Sequence, residues 1–350
     1  MSEQTKVIDK NKIINGLRFA IIISLFISSL IILITIDEEA FQTIINALNI
    51  KFIFSLFLIM FFNWIFAGLR LKIMAEAIGE KLSLKDCVII YLSGAFISHV
   101  TPFASGGGPF QVYFFHKKGV QVGKSSMIIV IQFILRLFFF GIITPLFLIF
   151  FNDLISPGIV PSYLFYLAFG VGILISAGII VFTLVPQILN KLISTFLKIN
   201  ILNRFIKRSF KAKRWIVKAR IELNEFRNSL TIMAQKKKAL FLGAICTIIF
   251  WSLLFMIIPV ILEGLGVEPH YFRAYVMQTI FYLILPYMPT PGASGIAEVG
   301  SASLFVAFIP EKLVGLVTFG WRLFTFHLVL LVGGFFALRE IGKNRSQENG

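Results

Sequence analysis

The chain has 350 residues, 57% of them hydrophobic and only 14% charged, with a net charge of +16. Soluble domains carry about 25% charged residues. This balance, with a mean hydropathy of +0.88, therefore excludes a wetted globular enzyme or binding module and makes lipid the solvent.

Taken in chain order, an apolar run over residues 19–36 follows Lys6, Lys10, Lys12 and Arg18 and ends at Asp37-Glu38-Glu39 with no small-residue cleavage site. It reads as a signal anchor and first span, with the N-terminus inside. A second run covers 52–69, and Arg70, Lys72, Lys81 and Lys85 place its far end inside. The stretch 88–115 is apolar but breaks at residues 101–109, and His116, Lys117, Lys118 and Lys124 follow it on the same side. Runs at 126–151 and 163–185 lead out and back to a basic segment at 187–238, where fourteen Lys and Arg face only Glu222 and Glu225. That charge suits the cytoplasmic side and the surface of anionic lipid; it suits nucleic acid as well, which is not an expected partner here. A run at 239–262 exits to Glu263 and Glu268, a second broken stretch covers 272–308, and a run at 313–338 returns to Arg339, Lys343 and Arg345.

Each unbroken run is near or above the ~18–20 residues a membrane helix needs. The broken stretches cannot lie bare in hydrocarbon, because their backbone needs partners from protein or water. The expected architecture is an all-α polytopic membrane protein in one domain over 1–350, with about six full spans and two re-entrant helical hairpins. It is placed multi-pass in the cell membrane with both termini cytoplasmic.

The breaks match each other. Thr101-Pro102-Phe103-Ala104-Ser105-Gly106 and Thr290-Pro291-Gly292-Ala293-Ser294-Gly295 agree at five of six positions. Arg136-Leu137-Phe138 follows the first and Arg322-Leu323-Phe324 the second, at nearly equal distance. One unit (52–151) enters from inside and the other (239–338) from outside, which predicts an inverted repeat with its discontinuous segments at a transport site.

Arg136 and Arg322 lie within spans, where an arginine costs at least ~2.5–3.5 kcal/mol and needs a polar interior. Glu298, after the second break, lies at similar depth. Either Glu298 pairs with an arginine and locks the fold, or the three make a site of net charge +1 that takes an anion, for which the guanidinium fork suits phosphate. Gly106, Gly107 and Gly108 could form an anion nest or a tight turn. Thr101, Ser105, Thr290, Ser294 and Gly295 would line the same path, and His99 adjoins it. Gln132 and Gln278 read as interhelical glue. Cys87 and Cys246 read as inert buried thiols. No catalytic set, metal spacing or cofactor motif is apparent.

The residues 101–109, and above all Pro289-Thr290-Pro291-Gly292-Ala293-Ser294-Gly295-Ile296-Ala297-Glu298, resemble the transmembrane region of lysylphosphatidylglycerol synthases, with Ala293 where a second glycine is usual. The resemblance covers roughly residues 10–340. It implies a membrane region that flips an aminoacylated phospholipid, or in other family members handles polyprenyl-linked lipids. The soluble domain that transfers lysine from tRNA is expected to be absent, since only a short polar tail follows residue 338. The leading expectation is a lipid translocase holding an anionic or aminoacylated phospholipid, or a polyprenyl-linked lipid, by its head group. A lipid-modifying transferase of the phosphatidylglycerol lysyltransferase type and a small-solute or ion transporter are the alternatives. The chain could assemble as a homodimer.

Overall fold

The computed structural model describes residues 50–150 and 210–348, with residues 22, 23, 26, 27, 29–31, 33, 34 and 170. The expected span at 163–185 thus falls outside the described residues except for residue 170, and half of the span at 19–36 does. Within them all regular structure is helical. Four helical runs are long and apolar enough to cross a membrane: Lys51–Ala77, Val122–Phe147, Lys237–Gly264 and Glu311–Glu340. They coincide with the apolar runs at 52–69, 126–151, 239–262 and 313–338.

Helix α1 (Ile50–Ala77) continues eight residues past Leu69, which carries Arg70 into the span. Helices α2 (Leu84–Val100) and α3 (Gly107–Lys117) flank the first break, and α4 (Val122–Phe150) follows. Ser83 caps α2 by accepting the Asp86 N–H, as an N-terminal serine should. A Cβ on Gly107 would lie 1.8 Å from Ser98 Oγ, and one on Gly94 would lie 2.3 Å from Gln111 Cγ. These glycines let α2 and α3 close on one another, the small-residue device of membrane helix pairs.

Helix α5 (Phe210–Gln235) belongs to the basic segment. Phe226, Leu230 and Met233 pack into protein, and Glu222 Oε2 accepts the Gly123 N–H at 2.7 Å. This part of the segment therefore docks on the start of α4.

Helices α6 (Lys237–Phe255) and α7 (Ile257–Gly264) are one span interrupted at Met256. Pro259 has no N–H to return to the Phe255 carbonyl four residues back. Gln278 Nε2 supplies the missing donor at 2.8 Å, from α8 (Tyr271–Ile284). The expectation that Gln278 joins helices is met in this form.

After α8 come two 3₁₀ turns, Leu285–Tyr287 and Pro291–Ala293, then α9 (Ile296–Phe305) and α10 (Glu311–Arg322). A π-helical turn, Leu323–His327, joins α10 to α11 (Leu328–Glu348). The Arg322 carbonyl also lies 3.2 Å from His327 Nδ1.

The two breaks share an unusual backbone. Phe103 (φ 56°, ψ 21°) matches Gly292 (φ 61°, ψ 17°), and Ala104 (φ 49°) matches Ala293 (φ 53°). Left-handed backbone costs non-glycine residues roughly 1–2 kcal/mol, so its retention at three such positions marks a geometry the surroundings enforce. The breaks also touch: the Phe103 N–H donates to the Met288 carbonyl at 3.1 Å.

Two apolar clusters hold the helices. One gathers Trp251, Phe255, Phe305 and Trp321 around α6–α10; the other gathers Leu71, Met74, Phe114 and Phe115 around α1–α4. Outward, α1 presents Phe54, Phe57, Phe61 and Phe62, and α4 presents Phe138, Ile142, Ile149 and Phe150. In a chain whose solvent is lipid, such faces contact acyl chains.

Candidate functional site

A cavity of about 530 Å³ lies between the two breaks, bounded by Phe103, Ala104, Gly107 and Gly108 on one side and Tyr287, Met288, Thr290, Gly292 and Ala293 on the other. Its lining includes three arginines, Arg70, Arg136 and Arg322, and no Asp or Glu among the described residues.

Arg322, at the end of α10, is 3% exposed. Its Nε donates to Glu298 Oε1 at 2.8 Å, and its second terminal nitrogen reaches the Gly292 carbonyl at 3.3 Å and Ser294 Oγ at 3.4 Å. The guanidinium lies 3.9 Å from the Phe326 ring centroid, a cation–π contact one helical turn along. Glu298 is the third residue of α9, and its Oε2 accepts the Gly295 N–H at 2.7 Å. A carboxylate there complements the helix N-terminus. Both Glu298 oxygens are thus engaged, and the pair locks the second break to α10. This is the fold-locking alternative named above for Glu298.

Arg136, from α4, has no such counter-ion among the described residues. Its contacts are the Tyr282 carbonyl at 3.4 Å and the rings of Phe140 and Trp251 at 5.7 and 5.5 Å. Arg70, from α1, donates to Thr247 Oγ1 at 3.2 Å and lies 5.4 Å from the Phe250 centroid, while its Nε has no partner. Thr247, Phe250 and Trp251 are spaced by three and four residues and so share one face of α6. Two guanidinium groups from different helices therefore meet the same face with no carboxylate paired to either among the described residues.

Other buried polar atoms at the cavity also lack partners among the described residues: His99 Nδ1, Gln111 Oε1, Gln132 Oε1, Thr290 Oγ1 and Trp251 Nε1. Buried polar groups in native proteins are nearly always satisfied. A cluster of orphans around one space is therefore a site prepared for a polar occupant or for water.

Of the residues expected at the site, Arg136, Arg322, His99, Gly107 and Thr290 line the cavity. Thr101, Ser105, Gly106, Ser294, Gly295 and Glu298 do not line it; they belong to the breaks and to the start of α9. Thr101 Oγ1 donates to the Ile97 carbonyl and accepts the Gly106 N–H, and Ser105 Oγ donates to the Pro102 carbonyl. The close approach at Gly107 fits the tight-turn reading of Gly106-Gly107-Gly108, and α3 begins there. Arg70 was assigned to the cytoplasmic flank of its span, and the structure instead buries it at the cavity. The apolar run ends at Leu69, so no sequence signal separated Arg70 from a flanking charge. Gln111, Trp251 and Tyr282, which also line the space, carry no sequence signal that separates them from ordinary packing residues.

Comparison with known proteins agrees with this architecture. The family model described as "Lysylphosphatidylglycerol synthase TM region" matches residues 21–333. A UPF0104 membrane protein of Archaeoglobus fulgidus is 26% identical over 339 residues, covering 94% of this chain and 98% of its own. A UPF0104 membrane protein of Methanocaldococcus jannaschii is 27% identical over 356 residues, covering 97% and 99%. No solved structure matches. With nearly the whole chain matched and the Gly292–Glu298 segment closed on Arg322 beside a buried cavity, the protein belongs to the family of the lysylphosphatidylglycerol synthase transmembrane region.

Proposed function

We propose that the protein carries phospholipid or polyprenyl-phosphate-type lipids between leaflets, with the head group in the cavity and the acyl or prenyl chains left in lipid. The observation that carries this reading is the cavity itself, lined by three arginines of which, among the described residues, only Arg322 is paired to a carboxylate. An anionic group entering it would gain charge-assisted hydrogen bonds in place of the unmet donors.

The matched backbone of the two breaks supports reading them as halves of an inverted repeat, each a re-entrant hairpin, in a multi-pass cell-membrane protein with cytoplasmic termini. In such transporters the site lies where discontinuous segments meet near the midplane. The contact from Phe103 to Met288 joins the two breaks that bound the cavity.

Reconstitution with head-group-labelled lipids tests the proposal. Wild-type protein is expected to speed leaflet exchange above protein-free vesicles. Arg136→Ala is expected to slow it by about tenfold or more, the scale of one lost charge-assisted contact. Exchange no faster than in protein-free vesicles, or equal in both proteins, overturns it.

A further inference from the structure

The charge count at the cavity says more than that its occupant is anionic. We infer that the head group carries two negative charges, as a phosphate monoester or a diphosphate does, and that Arg70 and Arg136 together select it over singly charged phosphodiesters and over cationic aminoacylated head groups. This inference rests on the lipid-binding reading above.

Arg70 reaches the cavity from α1 and Arg136 from α4, and both lie against the face of α6 that carries Thr247, Phe250 and Trp251. Arg70 is 3% exposed, and its Nε has no partner. Two like charges that share one cavity repel one another, and each is already costly to bury. A singly charged phosphodiester would neutralise one and leave the other unmet. A dianion neutralises both, and its equatorial oxygens can meet two guanidinium forks at once. The indole N–H of Trp251, which has no partner among the described residues, adds a neutral donor.

The same geometry disfavours an ammonium head group. Glu298 gives one oxygen to Arg322 and the other to the Gly295 N–H, and it does not line the cavity. An aminoacylated lipid would bring its positive charge toward three guanidinium groups with no open carboxylate among the described residues.

Two probes separate charge from shape. Phosphatidate bears up to two charges, whereas phosphatidylmethanol with the same acyl chains bears one and differs by a methyl. Binding of each to the purified full chain is read by native mass spectrometry at pH 8, alongside lysylphosphatidylglycerol and sodium phosphate. Wild-type protein is expected to prefer phosphatidate over phosphatidylmethanol by about tenfold or more, roughly one charge-assisted contact, and to bind lysylphosphatidylglycerol weakest. Arg70→Gln is expected to bring that preference below about threefold, with Arg70→Lys retaining most of it. Equal wild-type affinities for phosphatidate and phosphatidylmethanol, or tightest binding of the lysyl lipid, overturn the inference whatever the variants do.

Sodium phosphate distinguishes the source of the dianion. Displacement of phosphatidate by phosphate at comparable concentration assigns the site to the free ion; displacement only at far higher concentration assigns it to a lipid. Either result keeps the charge assignment. Leaflet exchange without phosphatidate preference overturns this inference and leaves translocation standing, and preference without exchange does the reverse.

Discussion

Glu298 and Arg322 form the most tightly specified pair in the described structure, since four polar contacts converge on them from Gly292, Ser294, Gly295 and each other. Removing one partner of a buried ion pair leaves an uncompensated charge and costs about 3–5 kcal/mol. Glu298→Gln should therefore lower the thermal unfolding midpoint strongly in detergent, and Arg322→Met with Glu298→Gln should recover part of the loss, because no buried charge then remains. A second residue-scale test concerns Gly292. A Cβ there would lie 2.3 Å from Phe326 Cε2 and 2.9 Å from the His99 carbonyl, at φ +61°. Gly292→Ala should destabilise by about 1–3 kcal/mol, measured the same way. At this scale the sequence made Arg136, Arg322 and Glu298 conspicuous because charge inside a span has few innocent explanations. Arg70 escaped because it follows the last apolar residue of its run, where a basic residue ordinarily marks the membrane surface. Only the continuation of α1 to Ala77 reveals its depth.

At the scale of elements, the hydropathy profile located the four described spans and both breaks, since length and apolarity are what lipid selects. The π turn after Arg322 and the interruption at Met256 left no such mark, because both arise from how backbone carbonyls are shared between helices. The second of these can be tested as a pair. Gln278 donates to the carbonyl that Pro259 leaves vacant, so Gln278→Leu should cost about 1–3 kcal/mol through the unmet Phe255 carbonyl. Pro259→Ala restores an N–H at the position that would close the helix. The cost of Gln278→Leu should accordingly shrink in the Pro259→Ala background, a non-additivity that a double-mutant cycle of unfolding free energies would measure. Equal costs in both backgrounds would show that the proline and the glutamine act independently.

For the molecule as a whole, the cavity sits where two stretches of chain distant in sequence, near residues 103 and 288, come together, so any widening of that passage separates them. A disulfide between Phe103→Cys and Met288→Cys should hold them closed. Exchange of labelled lipid is expected to fall toward the protein-free rate on oxidation and to return on reduction, and unchanged exchange in the oxidised protein would place the passage elsewhere. Composition had already assigned the molecule to the bilayer, and the repeat of Thr-Pro-x-Ala-Ser-Gly had indicated two related halves. Which side chains face the shared space was not legible, because that depends on how α1, α4 and α6 rotate against one another, and their hydrophobic residues point in nearly all directions.

The single hydrogen bond from the Phe103 amide to the Met288 carbonyl has a further use. An amide proton held in this way exchanges with heavy water only while the bond is broken. That one proton is therefore a clock for the protein at rest. If the breaks part only to admit cargo, its exchange should slow when the cavity is filled, and the ratio of the two rates would measure how often the empty protein opens unprompted.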